Sequence, residues 1–289
     1  MSSRSSSPAQ KRQRTMLLAV VLVIVLIASS VGAFVLLDQG KTVKTGDLVR
    51  VDYIGKLPDG RVFDTSMHSV AVDNDTYPKS LFFTYRGSEA KYSTLNFTVG
   101  AGAMIDGFET GVQGMKVGET KTIVIPPEDG YGDEDPTKLV TLNLTETIPF
   151  QQTLTVDAFR SVYGTNPVRF NTYTNPTYGW DVYVTFLDSS NVILQNKIPA
   201  EGATYRAYAS SSDASYGWQI AAEYDQNMTN IIVHHQLDAS SAMTVKGYQG
   251  NARLYVQSVD EAAGTAVLNK NLEVVGKDLT FIITVVSIG

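Results

Sequence analysis

A glycine-rich stretch, residues 97–132, carries the side chains of this chain that are best suited to chemistry. It reads FTVGAGAMIDGFETGVQGMKVGETKTIVIPPEDGYG. Its aromatic and aliphatic residues could line a dry hollow, and Tyr131, between two glycines, could present its hydroxyl on a tight turn. These groups can bind and orient an apolar substrate. A single aromatic residue is more often part of a core, so only the pattern as a whole can support a functional interpretation.

The composition excludes several classes of site. The chain has no cysteine, which excludes disulfides, thiol catalysis and zinc–thiolate sites. Its three histidines are His68, His234 and His235, and the last two would point to opposite faces of a strand. The acidic turn at 128–135 could bind a hard cation, but a solvated turn is the simpler interpretation. We therefore expect no metal and no cofactor.

The charge of the chain is unevenly distributed. The net charge is −6, although residues 1–37 contain four cations and no acid. The rest of the chain is therefore more acidic than the total indicates. An acidic body argues against a nucleic-acid partner.

Local patterns predict the elements that would hold the glycine-rich stretch. Residues 48–53 alternate apolar and polar types, which predicts a strand with one buried face. Residues 97–100 read as the end of a strand, 105–112 as one or two helical turns, and 121–125 as a half-buried strand. Pro126 and Pro127 end the last strand because neither has a backbone N–H for the ladder.

Two motifs in these segments resemble the signature of FKBP-type peptidyl-prolyl isomerases. The family pattern combines F-x-x-G, I-x-G-[WF]-E-x-x-[VAL]-x-G-M-x-x-G-E, I-x-P-P and Y-G, and this chain matches it between Phe97 and Gly132. The pattern V-x-V-x-Y-x-G-x-L-x-D-G-x-x-F-D-T-S is matched between Val49 and Ser66. The resemblance implies an α+β fold, in which an FKBP-like antiparallel half-barrel sheet is wrapped on a short helix.

The resemblance implies an isomerase that rotates X-Pro peptide bonds without a covalent intermediate. Amide resonance sets a barrier of about 20 kcal/mol. The twisted amide is less polar than the planar one, so a dry aromatic pocket favours it over water. The positions that correspond to the family's catalytic residues are Tyr53, Phe63, Asp64, Ile105, Phe108, Tyr131 and Phe281, and Phe97 and Met104 correspond to substrate-binding ones.

The same resemblance implies individual roles. Phe108 would form the floor, where many members have tryptophan. The Ile105 N–H and the Tyr131 hydroxyl would hold substrate carbonyls. Asp64 would orient its neighbours and would not act as a base; alternatively, it is a turn-former that binds backbone N–H groups. The link 67–94 is longer than is usual in the family, and it is either an elaborated surface loop or a segment with an extra strand or apolar rim at 81–85.

The closing strand of the family is matched only at 279–288. The isomerase domain would therefore comprise residues 38–138 and 267–289, with residues 139–266 inserted in its flap. This layout resembles the SlyD-like and archaeal long members, in which the inserted domain binds unfolded chain. By analogy, Trp180 and Trp218 are candidate substrate-binding residues.

The insertion is predicted to be mostly β, with an internal repeat. Tyr178-Gly179-Trp180 and Tyr216-Gly217-Trp218 each precede a strand–turn–strand pattern, which predicts two related hairpins with one shared core. Residues 156–163 have helical spacing, with Thr155 or Asp157 as the cap.

The N-terminal segment predicts membrane attachment. Residues 16–37 carry no charge, and about 20 apolar residues suffice to span a bilayer as a helix. A cleaved signal peptide is the alternative, but its apolar core would be only ~7–15 residues long. We therefore expect a single-pass anchor in the cell membrane, with the basic tail 1–15 in the cytoplasm and the folded part outside.

These inferences lead to three hypotheses about function. The first is a membrane-anchored isomerase and folding chaperone that acts on unfolded or proline-containing polypeptides. The second is a non-catalytic surface chaperone or protein-interaction module on the same scaffold. The third, which has the least support, is a purely structural envelope protein.

Overall fold

The computed structural model describes residues 40–198 and 203–289. The basic tail 1–15 and the predicted anchor 16–37 lie outside the described residues. Among the residues that are described, no helix has the length and apolar character needed to cross a membrane. The chain divides into two compact units: the first ends at Asp133 and resumes with Val274–Gly289, and the second is Glu134–Glu273.

In the part that the structure describes, the first unit is a five-stranded antiparallel sheet with two short helices. In chain order its elements are β1 (Leu48–Lys56), β2 (Val62–Thr65), α1 (His68–Val72), β3 (Leu95–Thr98), α2 (Asp106–Val112), β4 (Thr120–Ile125) and the last strand of the chain, β17 (Leu279–Ile288). The order is β2-β1-β17-β4, and β3 pairs with the first half of β1. The final segment of the chain therefore lies in the middle of this sheet.

Alternation along the two central strands builds the core of the first unit. Val49, Val51 and Tyr53 of β1 are buried on the face that also receives Phe281 and Ile283 of β17. This side-chain period of two fits the pattern that the sequence predicted for 48–53.

Two glycines explain how α2 lies so close to β4. A β-carbon on Gly107 would stand 2.4 Å from Ile125 Cγ2, and one on Gly111 would stand 2.4 Å from Ile123 Cδ1. These glycines are four residues apart, so they lie on one helix face. Any side chain there would push the helix off the sheet.

The long link between β2 and β3 contains no strand at 81–85, which excludes the alternative of an extra strand there. The link instead forms α1 and a single bridge between Val62 and Lys79. Val70 and Phe83 pack with Ile54 and Val62 in a separate small cluster. Ile54 alternates with the inward residues of β1, so this cluster covers the opposite face of the sheet.

The second unit is mostly β, as the sequence predicted. Its elements are β5 (Leu139–Asn143), β6 (Thr145–Pro149), β7 (Gln151–Thr155), α3 (Val156–Tyr163), β8 (Thr172–Thr174), β9 (Asp181–Leu187), β10 (Asn191–Lys197), β11 (Ala203–Ala207), β12 (Trp218–Tyr224), β13 (Asn230–His235), β14 (Lys246–Gln249), β15 (Ala252–Asp260) and β16 (Thr265–Asn269). The strands form three four-stranded sheets in the orders β7-β10-β9-β8, β11-β12-β13-β6 and β14-β15-β16-β5. The predicted helix 156–163 is confirmed, and the Thr155 hydroxyl caps it by accepting from the Ala158 N–H.

The two predicted hairpins are confirmed as β9–β10 and β12–β13, although they lie in different sheets. Gly179 and Gly217 have positive φ angles of 80° and 88°. A β-carbon on Gly179 would stand 3.0 Å from the carbonyl oxygen of Arg206, and one on Gly217 would stand 2.5 Å from that of Ala207. Both carbonyls belong to β11. The repeated glycine is therefore required by backbone conformation and by close packing.

The ends of the second unit extend beyond the predicted bounds 139–266. Strand β16 pairs with β5 as far as Asn269 and Leu139. Residues 267–269 therefore belong to the second unit, which extends to Glu273. In the first unit, the Gly276 N–H donates to the Gly132 carbonyl at 2.8 Å. The chain therefore leaves the first unit and returns to it at neighbouring points.

Candidate active site

An aromatic cluster in the first unit brings together five of the predicted site residues. The Phe108 ring centroid lies 5.9 Å from that of Tyr53, 5.7 Å from that of Phe97 and 5.2 Å from that of Phe281. Phe63 lies 5.5 Å from Phe281 in an edge-to-face arrangement. Such offset or perpendicular geometries suit the charge distribution of aromatic rings. These residues come from α2 and four different strands, so only the folded sheet assembles the cluster.

The cluster has a buried floor and a more open rim. Phe97, Phe108 and Phe281 are almost fully buried, whereas Met104 and Ile105 are half-buried and pack against the same core. The arrangement is an aromatic cluster with a buried base, which we call the hollow.

Asp64 is held at the edge of this hollow by three donors. Its Oδ2 accepts from the Tyr53 hydroxyl at 2.5 Å. Its Oδ1 accepts from Arg86 Nη2 at 2.8 Å and from the Thr65 N–H at 2.9 Å. The contact with Thr65 is of the kind expected for a turn-forming aspartate, but the contacts with Tyr53 and Arg86 also tie the carboxylate to the site. With these donors, the Asp64 carboxylate is suited to orienting the side chains of Tyr53 and Arg86.

Two tyrosine hydroxyls beside Asp64 remain donors at neutral pH. Burial raises the pKa of Tyr53 well above its ordinary value, and the negative charge of Asp64 adds to that shift. Burial, followed by the charge of Asp64, also raises the pKa of Tyr131. Tyr131 is 43% exposed, so its side chain is open to a substrate.

Gly55 lets the aromatic wall lie directly on the backbone of β1. A β-carbon at Gly55 would stand 2.6 Å from Phe63 Cζ and 3.1 Å from Phe281 Cε1. The sequence motif contains this glycine, but its function in packing becomes visible only when both rings are in place.

Glu109 fixes the turn that presents Met104 and Ile105. Its buried carboxylate accepts from the Met104 N–H at 3.1 Å and from the Gly100 N–H at 2.6 Å. These backbone donors, Met104 first, lower the pKa of Glu109. Ile105 then precedes α2 with extended backbone angles, and its predicted contact with a substrate carbonyl stays a prediction.

Sequence reasoning missed Arg86, which follows Asp64 by 22 positions. It belongs to the long link between β2 and β3, where no periodic pattern marked it. The one available signal was an arginine within an otherwise apolar and aromatic segment. Its guanidinium carbon also lies 5.1 Å from the centre of the Tyr92 ring.

The two tryptophans predicted to bind substrate are buried in the second unit, with 1% and 5% of their surface exposed. Trp180 Nε1 donates to Asn196, and Trp218 Nε1 donates to His235 Nδ1. Their burial and internal hydrogen bonds contradict the prediction that their rings contact substrate at the surface. They are core residues of the two hairpins.

The predicted opposite orientation of His234 and His235 is confirmed. The His234 side chain is about half exposed, whereas that of His235 is fully buried and bonds Glu146 at 2.9 Å. Across residues 40–198 and 203–289, no group of three or more His, Cys, Asp or Glu side chains is arranged to hold a metal ion.

Comparison with known proteins agrees with this geometry. Residues 39–157 match the family model of the FKBP-type peptidyl-prolyl cis-trans isomerases, so the chain contains an FKBP-type isomerase domain. Over 93 residues it is 47% identical to the short-type peptidyl-prolyl cis-trans isomerase of Methanocaldococcus jannaschii. The aligned segment covers 32% of this chain and 53% of that protein. Over 96 residues it is 38% identical to FK506-binding protein 4 of Chaetomium thermophilum, covering 33% of this chain and 15% of that protein. Over 94 residues it is 36% identical to human peptidyl-prolyl cis-trans isomerase FKBP9, covering 32% and 13%. The chain thus spans about half the length of the first of these relatives and less of the other two.

Proposed function

We propose that the first unit catalyses the cis–trans isomerisation of X-Pro bonds in polypeptides. The observation that carries this proposal is the closed set of ring contacts among Tyr53, Phe63, Phe108 and Phe281 beside the ordered carboxylate of Asp64. An uncatalysed X-Pro bond isomerises in tens to hundreds of seconds. Each ~1.4 kcal/mol removed from that barrier speeds rotation about tenfold.

The catalytic effect would come from the surroundings of the amide. A planar amide has a larger dipole than a twisted one, so transfer from water into an aromatic hollow costs the planar form more. The Tyr131 hydroxyl and the Ile105 N–H would hold the carbonyls of the extended substrate. Tyr53, Asp64 and Arg86 would keep the polar wall in a fixed arrangement. No proton is transferred and no covalent bond is made or broken.

The test is the rate of isomerisation of a proline-containing tetrapeptide in the presence of the full-length chain. We expect the rate to rise in proportion to protein concentration. No acceleration, together with suppressed aggregation of a test protein, would instead support the alternative of a non-catalytic chaperone or interaction module.

We further propose that the second unit holds unfolded client polypeptide, through the outer face of the sheet that contains β9 and β10. Val182 and Val184 are buried, so Tyr183 between them faces outward. An irregularity next to Ile193 turns Phe186 outward, where it is exposed. Unfolded chains present apolar side chains, and this face offers apolar surface to bind them.

Phe170 adds to this outer face. It is 59% exposed and has a φ of 66°, a conformation that is costly for a bulky residue. Strained residues that persist are often functional. Its ring stacks near Tyr183 at 6.4 Å, which makes the two aromatic residues one contiguous surface.

We also propose that residues 16–37 anchor the protein in the cell membrane, with residues 1–15 in the cytoplasm and both folded units outside. The absence of charge in 16–37 and the cations Lys11, Arg12 and Arg14 before it support this arrangement. Resistance of the full-length chain to alkaline extraction from membranes, and digestion of its folded part by external protease in intact cells, would be the expected results.

A further inference from the structure

Three ring side chains from the link between β2 and β3 form a compact platform next to the candidate active site. The His68 ring centroid lies 5.4 Å from that of Tyr92 and 6.0 Å from that of Tyr85, and the two tyrosine rings are 6.1 Å apart. His68 Nε2 and the Tyr85 hydroxyl are within hydrogen-bond distance at 3.1 Å. Each ring therefore contacts both of the others.

Arg86 joins this platform to Asp64 at the edge of the hollow. Its guanidinium donates to Asp64 at 2.8 Å and its carbon lies 5.1 Å from the centre of the Tyr92 ring. Its backbone N–H donates to the Tyr92 hydroxyl at 3.0 Å. Asp64 in turn accepts from Tyr53 of the aromatic hollow. The platform thus has a defined position relative to the hollow.

The platform is open to solvent, unlike a core cluster. Tyr85 is 48% exposed, and His68 and Tyr92 are half-buried. The apolar residues that attach the link to the sheet are others, including Val70 and Phe83. Attachment of the link therefore does not require the exposed ring faces.

We propose that His68, Tyr85 and Tyr92 form a secondary subsite that binds an aromatic or large apolar side chain of the substrate, at a position remote from the proline. This inference rests on the proposed isomerase function. Arg86 is paired with Asp64, so the subsite offers ring faces rather than a free cation.

The position that the subsite reads follows from its reach. The path from Tyr53 to Tyr92 passes through Asp64 and Arg86, and its three non-covalent contacts are 2.5 Å, 2.8 Å and 5.1 Å long. The platform therefore lies on the order of 10 Å from the hollow, about three residues of extended chain. An extended polypeptide advances about 3.3 Å per residue, so the side chain that is read lies roughly two to four residues from the proline. Aromatic contacts of this kind give an affinity gain of about three- to tenfold.

The experiment uses the full-length chain and peptides that share one X-Pro core. One series carries a single phenylalanine two, three or four residues from the proline on either side, and the reference peptides carry glycine or serine there. We expect at least one phenylalanine peptide to show a kcat/KM about three- to tenfold above its reference, mainly through KM. Binding of the same labelled peptides, measured by fluorescence anisotropy, gives a second readout that does not depend on turnover.

Three variants test the assignment to the rings. Tyr85→Ala should abolish the gain in both readouts. Tyr85→Phe should keep it, because the ring remains. Leu48→Ala, at an apolar residue of β1 that is also 48% exposed, should keep it as the matched control.

The possible outcomes separate the subsite from the isomerase activity. Equal kcat/KM and equal affinity for the phenylalanine and reference peptides would overturn the subsite while leaving the activity standing. A gain that survives Tyr85→Ala would also overturn it. A gain in affinity that depends on Tyr85, without turnover of any peptide, would support the subsite and reject the isomerase function.

Discussion

The ring of Phe63 lies directly against the backbone of Gly55, where a β-carbon would stand 2.6 Å from Phe63 Cζ. The partner of Gly55 across the strand pair is Asp64, the residue next to Phe63. The position of one aromatic wall of the hollow therefore depends on the absence of a side chain in β1.

Gly55→Ala should damage the hollow, because Phe63 or Phe281 has to move to make room for the methyl group. Overpacking of this kind typically costs about 1–3 kcal/mol of stability. We expect kcat/KM for a proline tetrapeptide to fall at least about tenfold, which corresponds to ~1.4 kcal/mol. The control is Gly40→Ala, where a β-carbon would have no neighbour within 4 Å. Full activity of Gly55→Ala would show that the Phe63 wall is dispensable.

Asp64→Leu should lower turnover while the chain stays folded. The exposed ion pair with Arg86 contributes only about 0–1 kcal/mol, and the buried Tyr53 hydroxyl loses its acceptor at a cost of about 1–3 kcal/mol. We expect kcat/KM to fall roughly ten- to hundredfold, with a cooperative unfolding transition retained. Asp59→Leu is a matched control, since Asp59 is a similarly exposed aspartate paired with Arg61 at 2.8 Å. Equal effects of the two variants would remove Asp64 from the site.

Tyr131→Phe should lower kcat/KM by roughly tenfold, because the hydroxyl that would hold a substrate carbonyl is lost. Burial and the charge of Asp64 raise the pKa of this phenol above its ordinary value of 10. The wild-type rate should therefore show no loss from ionisation of Tyr131 as the pH rises from neutrality to 9. A rate profile that falls over this range in the wild type and is flat in Tyr131→Phe would contradict the assignment.

Glu109→Gln should change how stability depends on pH. The folded-state pKa of Glu109 is lowered by its backbone donors, so its ionised form stabilises the fold above its ordinary pKa. That contribution is lost as the pH falls below about 4.5. At pH 7 the variant should be less stable by about 1–3 kcal/mol, and the difference should shrink towards pH 3. Urea denaturation across this range would measure it, and a constant difference would contradict the prediction.

Deletion of residues 134–273, with Asp133 joined to Val274, should separate catalysis from client binding. We expect the shortened chain to retain tetrapeptide isomerisation within about twofold of the full chain. Catalysis of the proline-limited refolding of a test protein should fall by at least about tenfold. Equal loss on both substrates would contradict this division of labour.

The local patterns predicted β1, the end of β3, α2 and β4 of the first unit, because each depends on neighbours along the chain, but they did not predict β2 or α1. Alternation marked β1, and paired prolines marked the end of β4. In the second unit, the helix α3 was predicted with its bounds, and Thr155 was one of the two caps that the sequence offered, since both depend on residues within one turn.

Long-range relationships were harder to predict. Arg86 reaches Asp64 through a link without periodicity, so no local signal placed it in the site. The Tyr-Gly-Trp repeat was recognised, but the burial of Trp180 depends on a partner that lies 16 residues away. Asn196 on strand β10 accepts a hydrogen bond from the Trp180 indole. Sequence spacing alone could not distinguish an indole whose partner lies inside the unit from one that faces a client.

The central place of β17 has a consequence for synthesis. Its partners β1 and β4 leave the ribosome long before it does, and neither can complete its pairing until β17, Leu279–Ile288, has been made. The second unit is complete by then and can fold first. A chain truncated just before Leu279 would therefore contain every strand of the second unit, while the sheet of the first unit would lack its middle strand.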